Sequence, residues 1–336
     1  MDSMAARTPG TRCRSRVRAV AAALAGGLLL SACNGAGPSA PPPTQSRPQA
    51  PAPTPAPAGS ASAVEPYGGP FQQPAVHETF QSPALPGWAP EVTGIAGRQN
   101  SDIPQAERLG VLQPGPDPAG TASGSASASA SSRVLKVTLP NTKYYRSEIA
   151  QPPVQMGSEY WYGFRVFIPK DWRQDPQGNI LAQWHGLNGL TQEPGAKYNP
   201  PLALDVVGDQ WLAEVHWNSL GIDSAPKAPG AGSKSYLLGT ITPGTWTDFV
   251  VHAKWSFGAD GFVQVLMNGK QSMSHTGPDC YREAAAPYFK MGIYHPDRKN
   301  DAGGPAGDTV TEPVTVYDGD ITIKQAPASY AYVAPH

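Results

Sequence analysis

From about residue 75 onward, short runs of aromatic and β-branched residues alternate with polar residues, and clusters of Gly, Pro, Asn and Asp separate the runs. This alternation is typical of β-strands with one buried face. No segment between the runs places apolar residues at the 3.6-residue spacing of an amphipathic helix. The strands predicted in this way lie at residues 134–140, 160–169, 179–186, 201–207, 211–217, 245–256, 261–269, 287–295 and 314–324.

Strands that follow one another without helices argue against βαβ units and a parallel sheet. Many short strands separated by turn residues favour two packed antiparallel sheets. We therefore predict an all-β fold, an antiparallel β-sandwich of the concanavalin-like jelly-roll type, and we place this single domain at residues 75–336.

The first 74 residues lack the strand pattern. Residues 1–33 contain five arginines, the apolar run Ala19–Leu30, and then Leu-Ser-Ala directly before Cys33. An apolar run of about 12 residues is too short to span a bilayer and is typical of an export signal. Small residues before a cysteine resemble a bacterial lipobox, so we predict lipidation at Cys33. Residues 34–74, rich in Pro, Ala and Ser, are predicted to be a disordered tether.

These N-terminal segments also predict the cellular location of the protein. We expect a bacterial cell-envelope protein that faces outside the cytoplasm and touches the membrane only through its N-terminal lipid. The alternative is an ordinary signal peptide whose cysteine is incidental. We expect the domain to be a monomer.

Charge and cysteine content exclude other classes. The five arginines and Asp2 lie in residues 1–32, so the rest of the chain has 20 basic and 25 acidic residues and a net charge of −5. A nucleic-acid-binding protein needs a basic surface, which this balance does not favour. Cys280 is the only cysteine of the predicted domain, so no disulfide can form within it, and we interpret Cys280 as an incidental thiol.

Alternate side chains of a strand point to the same face of its sheet. In the strands at 179–186 and 287–295, one face carries polar and aromatic side chains where a solvated face more usually carries Thr, Ser, Lys and Glu. Such a face indicates a binding surface. The candidate residues are Gln183, His185, Tyr288, Lys290 and Tyr294, together with Arg165 from 160–169 and, if residues 144–150 are extended, Arg146.

These residue types can together carry out an elimination reaction on a uronate sugar. The reaction needs a cation or hydrogen-bond donor for the C6 carboxylate, a base for the C5 proton and an acid for the O4 leaving group. Arg and Lys bind carboxylates. A neutral His and a Tyr suit the base and acid roles near neutral pH. An acidic polysaccharide is therefore the predicted ligand.

Several strings in the chain, in this order, resemble a polysaccharide lyase group that includes heparin lyase I and glucuronan lyase. They are YWYGFRVFIP, LAQWHG, PPLALDV, GTWTDFVVHAKWS, GFVQVLMNGK and APYFKMGIYH, and the resemblance covers roughly residues 75–325. It implies a β-jelly roll and cleavage by β-elimination. It also implies that His185 abstracts the proton or orients the uronate, that Lys290 and Tyr294 belong to the site, and that Tyr294 is the acid to O4 and, with some substrates, the base as well. Gln183 and Arg146 match polar positions that neutralise the carboxylate.

The chain departs from the heparin-type members, which carry additional basic segments for sulfate. The mature chain has no cluster of Lys and Arg. This difference favours an unsulfated polyuronate such as glucuronan as the substrate.

Other interpretations of the same residues stay open. Arg146 and Glu148 can simply pair with each other across the sheet surface. A non-catalytic, lectin-like module would keep the aromatic face without a shared reaction centre, and a glycoside hydrolase would need two neighbouring carboxylates. No cofactor is indicated, although Asp318, Asp320 or backbone oxygens are candidate ligands for a structural calcium ion.

Overall fold

The computed structural model of the protein describes residues 75–94, 103–119, 133–140, 144–187, 197–296 and 313–336, all within one compact unit of the chain. The predicted signal peptide, the lipidation site Cys33 and the tether lie outside these residues and stay predictions. None of the helices in the described ranges has the length and hydropathy needed to cross a bilayer. Two helices lie within the described ranges, α1 at Gln105–Val111 and α2 at Tyr330–Val333.

Sheet A contains eight antiparallel strands within the described ranges. Its order is β13-β12-β11-β6-β15-β4-β3, and β1 pairs with the second half of β15. The bounds are β1 Val76–Glu78, β3 Leu112–Pro116, β4 Arg133–Leu139, β6 Glu159–Phe167, β11 Trp246–Lys254, β12 Phe262–Met267, β13 Lys270–Thr276 and β15 Val314–Gln325.

Sheet B contains seven antiparallel strands in the order β10-β9-β8-β7-β14-β5-β2, again counted within the described ranges. The chain crosses repeatedly between the sheets, as from β4 in sheet A to β5 in sheet B and back to β6. The predicted antiparallel jelly-roll sandwich is thus confirmed. The bounds are β2 Ala89–Gly94, β5 Tyr144–Ala150, β7 Asp175–His185, β8 Leu202–Gly208, β9 Gln210–Asn218, β10 Ala231–Thr240 and β14 Tyr288–Tyr294.

The core lies between the two sheets and is rich in aromatic residues. Phe164 of β6 packs against Phe289 of β14, with ring centroids 5.4 Å apart, and Trp184 of β7 lies 5.0 Å from the same Phe289 ring. All three side chains are buried. Because alternate residues of a strand face opposite sides, burying Trp184 and Phe289 turns their neighbours on β7 and β14 away from the core.

A β-bulge between β14 and β7 shapes the outward face of sheet B. The pairing shifts between Met291 and Tyr294, and Gly292 lies in this shift with a φ of 138°. A Cβ atom at Gly292 would lie 2.3 Å from the carbonyl oxygen of Ser147, so only glycine lets β14 and β5 approach this closely. The bulge leaves the pairing with β5 regular, which sets Tyr294 opposite Arg146.

Candidate active site

Most of the predicted site residues come together on the outward face of sheet B. Strand pairing places Tyr288 opposite His185 and Lys290 opposite Gln183 across β14 and β7. On the other side of β14, Tyr294 lies opposite Arg146 of β5. The residues brought together are Arg146, Gln183, His185, Tyr288, Lys290 and Tyr294.

A charged cluster forms the centre of this face, and Lys290 lies in the middle of it. The Nζ atom of Lys290 lies 2.6 Å from Oε2 of Glu91 and 3.2 Å from Oε2 of Glu148. Lys290 and Gln183 are fully buried, and Gln183 donates a 2.5 Å hydrogen bond to Oε1 of Glu148. Lys290 and Gln183 therefore lie beneath the accessible surface; of the two carboxylates that Lys290 contacts, Glu91 is partly exposed and Glu148 is buried.

Arg146 completes the cluster and remains partly accessible. Its Nε atom lies 3.0 Å from Oε2 of Glu148 and its Nη1 atom 3.3 Å from Oε2 of Glu91. Its guanidinium carbon lies 4.7 Å from the ring centroid of Tyr294. Arg146 and Glu148 do pair, as one of the two interpretations expected, and the pair lies within the site. Two cations and two anions alternate here, which offsets much of the cost of burying each charge.

The pKa values in the cluster follow from these contacts. Burial alone raises the pKa of Glu91, but Lys290 and Arg146 outweigh it and hold the pKa below its usual value. Burial lowers the pKa of Arg146, but Glu148 and Glu91 outweigh it and raise the pKa. At neutral pH both groups are therefore charged.

His185 is neutral at neutral pH and its tautomer is determined. Burial and the nearby charge of Lys290 lower the pKa of His185 to about 3. Its Nδ1 atom lies 2.9 Å from the carbonyl oxygen of Gly186. A carbonyl can only accept a hydrogen bond, so Nδ1 carries the proton and Nε2 keeps a lone pair. This is the protonation state that a general base requires.

Tyr294 and Tyr288 flank the cluster on opposite sides, and both are half-buried. Burial raises the pKa of Tyr294, while the neighbouring Arg146 lowers it by a smaller amount. The phenol therefore keeps its proton at neutral pH and can donate it. The Tyr288 ring lies 5.7 Å from the His185 ring, and Lys290 Nζ lies 5.6 Å from the Tyr288 centroid.

A pocket of about 460 Å³ opens beside Glu91 and Tyr288. Aromatic and aliphatic side chains form most of its walls, and such walls suit the apolar faces of sugar rings. The apolar residues that line it are Trp88, Ala89, Ala150, Pro152, Pro153 and Leu187.

Beyond β7 the same face becomes acidic. Glu214 pairs across the sheet with Ala203, which itself lies opposite Gln183, and Asp205 lies further along β8. Burial and the charge of Glu214 raise the pKa of Asp205 to about 7. Among the described residues, the cations on this face thus lie on one side of β7, and a uronate carboxylate is expected to bind there.

Arg165 is a correction to the sequence-based prediction. It lies on β6, which belongs to sheet A, and it points to the outside of that sheet. It forms ion pairs with Asp248 and Asp320 at 3.3 and 3.2 Å and stacks over Trp246. Alternation within one strand reveals a shared face but not the sheet to which the strand belongs.

The calcium prediction from Asp318 and Asp320 also does not fit. A shift in the pairing of β15 with β6 between Gly319 and Thr322 places the two side chains on opposite faces of sheet A. Asp318 is fully buried, whereas Asp320 binds Arg165 on the outside. Calcium requires several converging oxygen ligands. The described residues contain no group of three or more His, Cys, Asp or Glu that could hold a metal ion.

Cys280 is buried, and burial raises its pKa well above the usual value, which agrees with its interpretation as an incidental thiol.

Sequence reasoning missed two parts of the site. Glu91 lies on the edge strand β2, whose sequence APEVTG shows no clear alternation. Glu283 and Tyr198 lie outside strands, and no motif marks them; the Tyr198 ring lies 5.6 Å from the His185 ring, and Glu283 accepts a hydrogen bond from the N–H of Leu187.

An antiparallel jelly roll with cations, a neutral imidazole and a tyrosine on one face has the groups that a carbohydrate-active lyase requires. A family model described as "Polysaccharide lyase" matches residues 118–319, which is more than half of the chain. The chain belongs to the polysaccharide lyase family, and the protein is a polysaccharide lyase.

The solved structures to which this chain is similar have low sequence identity to it. The endo-β-1,4-glucuronan lyase of the fungus Trichoderma reesei is 20% identical, with a TM-score of 0.50 over 61% of this chain and 85% of that chain. Alginate lyase AlyC3 is 15–16% identical, with a TM-score of 0.40 over 57–58% of this chain and 75–76% of its own. Alginate lyase AlgAT5 of polysaccharide lyase family 7 is 12% identical, with a TM-score of 0.43 over 72% of this chain and 96% of its own. Among curated proteins, no sequence matches the chain.

Proposed function

We propose that the protein cleaves an unsulfated uronate polymer, glucuronan-like in composition, by β-elimination. The observation that carries the proposal is that the half-buried Arg146 and Tyr294 and the largely buried His185, which is 8% exposed, surround one charged cluster on the same face. These residues supply the carboxylate-binding cation, the base and the acid that elimination requires.

The proposed reaction assigns one role to each group. Arg146 binds the C6 carboxylate, which makes the C5 proton more acidic. The Nε2 atom of His185 removes that proton, the C4–O4 bond breaks as the C4=C5 double bond forms, and Tyr294 protonates O4. A pKa of about 3 makes His185 a weak base in the free protein. A bound uronate carboxylate adds a negative charge beside the imidazole and raises its pKa, so the substrate itself activates the base.

Two observations support an unsulfated substrate. The two cations of the cluster, Lys290 and Arg146, are matched by two anions, Glu91 and Glu148, so the cluster offers the Arg146 guanidinium to a uronate carboxylate but has no surplus positive charge for additional sulfate groups. Residues 33–336 are also net acidic. The glucuronan lyase from Trichoderma reesei makes glucuronan the first polymer to test.

The glycoside hydrolase alternative has one feature in its favour, because Glu91 and Glu148 both lie on the outward face of sheet B. A hydrolase, however, needs one carboxylic acid with a raised pKa to protonate the leaving group. The pKa of Glu91 is lowered, and both carboxylates contact the same Lys290 ammonium. Glu91 therefore does not suit the role of acid.

An ultraviolet absorbance time course tests the proposal. The purified full-length chain is incubated separately with glucuronan, alginate, hyaluronan and heparin. Elimination creates a conjugated double bond that absorbs, whereas hydrolysis does not. We expect absorbance to rise with an unsulfated polyuronate, fastest with glucuronan, and to stay flat with heparin. Chain shortening without absorbance would favour hydrolysis, and binding without shortening would favour the lectin-like alternative.

Two arginine variants form a matched pair in the same assay. We expect Arg146→Gln to lower kcat/KM by about 100-fold, because the lost guanidinium binds the carboxylate that elimination requires. Arg165→Gln makes the same chemical change on the other sheet and is expected to change kcat/KM by less than about 2-fold. Equal losses in both variants would contradict the assignment of Arg146.

We also propose that the protein is held at the bacterial envelope, outside the cytoplasm, through lipid on Cys33. The apolar run and the small residues before Cys33 support this proposal. Labelled palmitate given to expressing cells is expected to enter the wild-type protein and Cys280→Ser but not Cys33→Ser. Equal labelling of the wild type and Cys33→Ser would exclude this anchor. The monomeric state stays a prediction.

A further inference from the structure

We infer that Glu283 is a positioning residue for His185 and acts on it through the peptide group between Gly186 and Leu187. The inference rests on the proposed role of His185 as the base. Glu283 is not among the residues that the sequence suggested.

The two hydrogen bonds of this connection end on the same peptide group. Oε2 of Glu283 accepts a hydrogen bond from the backbone N–H of Leu187, at 3.1 Å. The carbonyl of Gly186, the other end of that peptide, accepts the Nδ1–H of His185 at 2.9 Å. A carboxylate at the N–H end polarises the peptide and makes its carbonyl a stronger acceptor. The carboxylate therefore favours the tautomer with the proton on Nδ1.

The surroundings hold Glu283 in this position. The Tyr198 hydroxyl donates a 2.6 Å hydrogen bond to Oε1, the second oxygen of Glu283. Burial and the charge of Glu283 raise the pKa of Tyr198, so the hydroxyl remains a donor. The Tyr198 ring packs against Tyr281, with centroids 4.7 Å apart, and the Tyr281 hydroxyl donates to the Asn199 carbonyl at 2.8 Å. Both carboxylate oxygens of Glu283 thus have a defined partner.

The identity of residue 186 is part of the same arrangement. A Cβ atom at Gly186 would lie 1.7 Å from the Tyr198 hydroxyl oxygen and 2.4 Å from Oε2 of Glu283. Any larger residue would displace both side chains from the peptide. Glycine follows the histidine in the string LAQWHG because a side chain at this position would collide with Tyr198 and Glu283.

The charged groups that face His185 explain why such a connection matters. Lys290 and Arg146 disfavour a positive imidazole, and Glu91 favours it. The rings of Tyr198 and Tyr288 lie 5.6 and 5.7 Å away. When Nε2 takes the C5 proton, positive charge develops on the ring next to two cations. The Glu283 carboxylate stabilises that charge through the polarised peptide while Nδ1 keeps its proton.

The test is Glu283→Gln in the full-length chain, followed by ¹⁵N NMR of the His185 ring and by steady-state kinetics. Glutamine keeps the size of the side chain but removes the charge. We expect the signal of the Nδ1–H tautomer to weaken, kcat to fall by about 10-fold, and KM to change by less than about 2-fold. His185→Gln identifies the signal. An unchanged His185 tautomer in Glu283→Gln would overturn the inference, whatever the activity.

Two further variants separate positioning from folding. Tyr198→Phe releases one oxygen of Glu283 and is expected to shift the tautomer and kcat in the same direction by a smaller amount. Glu159→Gln removes a carboxylate that contacts His252 at 2.6 Å on sheet A, and it is expected to leave kcat unchanged. An equal loss of kcat in Glu159→Gln would overturn the inference. A wild-type protein that produces no absorbance with any polymer counts against the proposed function, whereas the NMR comparison still tests the role of Glu283.

Discussion

Replacing Tyr294 with phenylalanine is expected to lower kcat by about 1,000-fold and to leave KM within about 3-fold of the wild type. The phenol is the proposed acid for O4, and burial raises its pKa, so the proton is present at neutral pH. Phenylalanine keeps the ring, whose centroid lies 4.7 Å from the Arg146 guanidinium and which packs edge-to-face with Tyr145 at a centroid distance of 6.1 Å. The loss should therefore appear in catalysis and not in thermal stability. The measurement is the initial rate of ultraviolet absorbance increase.

A second tyrosine provides the control. The Tyr236 hydroxyl on β10 lies 3.0 Å from Nδ1 of His275, away from the charged cluster. Tyr236→Phe removes a hydrogen-bonded hydroxyl in the same way and is expected to retain full kcat. If Tyr294→Phe keeps more than about a tenth of the wild-type kcat, Tyr294 is not the acid. Tyr288, on the other side of Lys290, would then be the next residue to test.

The sequence predicts the interior strands of this fold well and its edges poorly. All nine strands predicted from alternation exist, including β6, β7 and β14. The strands that no alternation reveals include the four at the ends of the two sheets, β2, β3, β10 and β13. An edge strand packs less apolar surface and often carries Pro or polar residues, as in LQPGP of β3 and KQSMSHT of β13.

The same limit applies to the site. Alternation correctly groups Lys290 with Tyr294 and Gln183 with His185, because the members of each pair share a strand. It says nothing about which strands are neighbours, and for that reason Arg165 is placed on the wrong sheet. Glu91 lies on an edge strand, so its contact with Lys290 has no signal in the sequence. The burial of Lys290 depends on partners from β2 and β5, which only the folded sheet brings together.

A β-bulge places Asp318 in the core and Asp320 on the outside of the sheet, although alternation puts residues i and i+2 on the same face. We expect the buried Asp318 to have a large effect on the stability of the protein. Asp318 lies in the core opposite Leu135 and Val166, and neither of its carboxylate oxygens has a hydrogen-bond partner among the described residues. Burial, and to a smaller extent the charge of Glu148, raises the pKa of Asp318 well above its usual value. We expect Asp318→Asn to increase the free energy of unfolding by about 2 kcal/mol at pH 7.

The stability gain from Asp318→Asn is expected to depend on pH. The folded pKa of Asp318 exceeds the unfolded value, so its contribution to stability is complete below about pH 4 and is lost as the pH rises toward the folded pKa. Asparagine does not titrate. The gain from Asp318→Asn should therefore be small at pH 4 and largest at neutral pH, in chemical denaturation at both values.

Asp320→Asn is the matched control on the same strand. Asp320 is partly exposed and binds Arg165 at 3.2 Å, so its loss is expected to change stability by less than about 1 kcal/mol. Repeating the denaturation with added calcium and with a chelator tests whether Asp318 is instead a calcium ligand. If calcium stabilises the wild type and Asp318→Asn abolishes that effect, the carboxylate is a metal ligand rather than an isolated buried acid. A gain that is independent of calcium and fades at pH 4 identifies Asp318 as a buried acid that the core accommodates only in its protonated form.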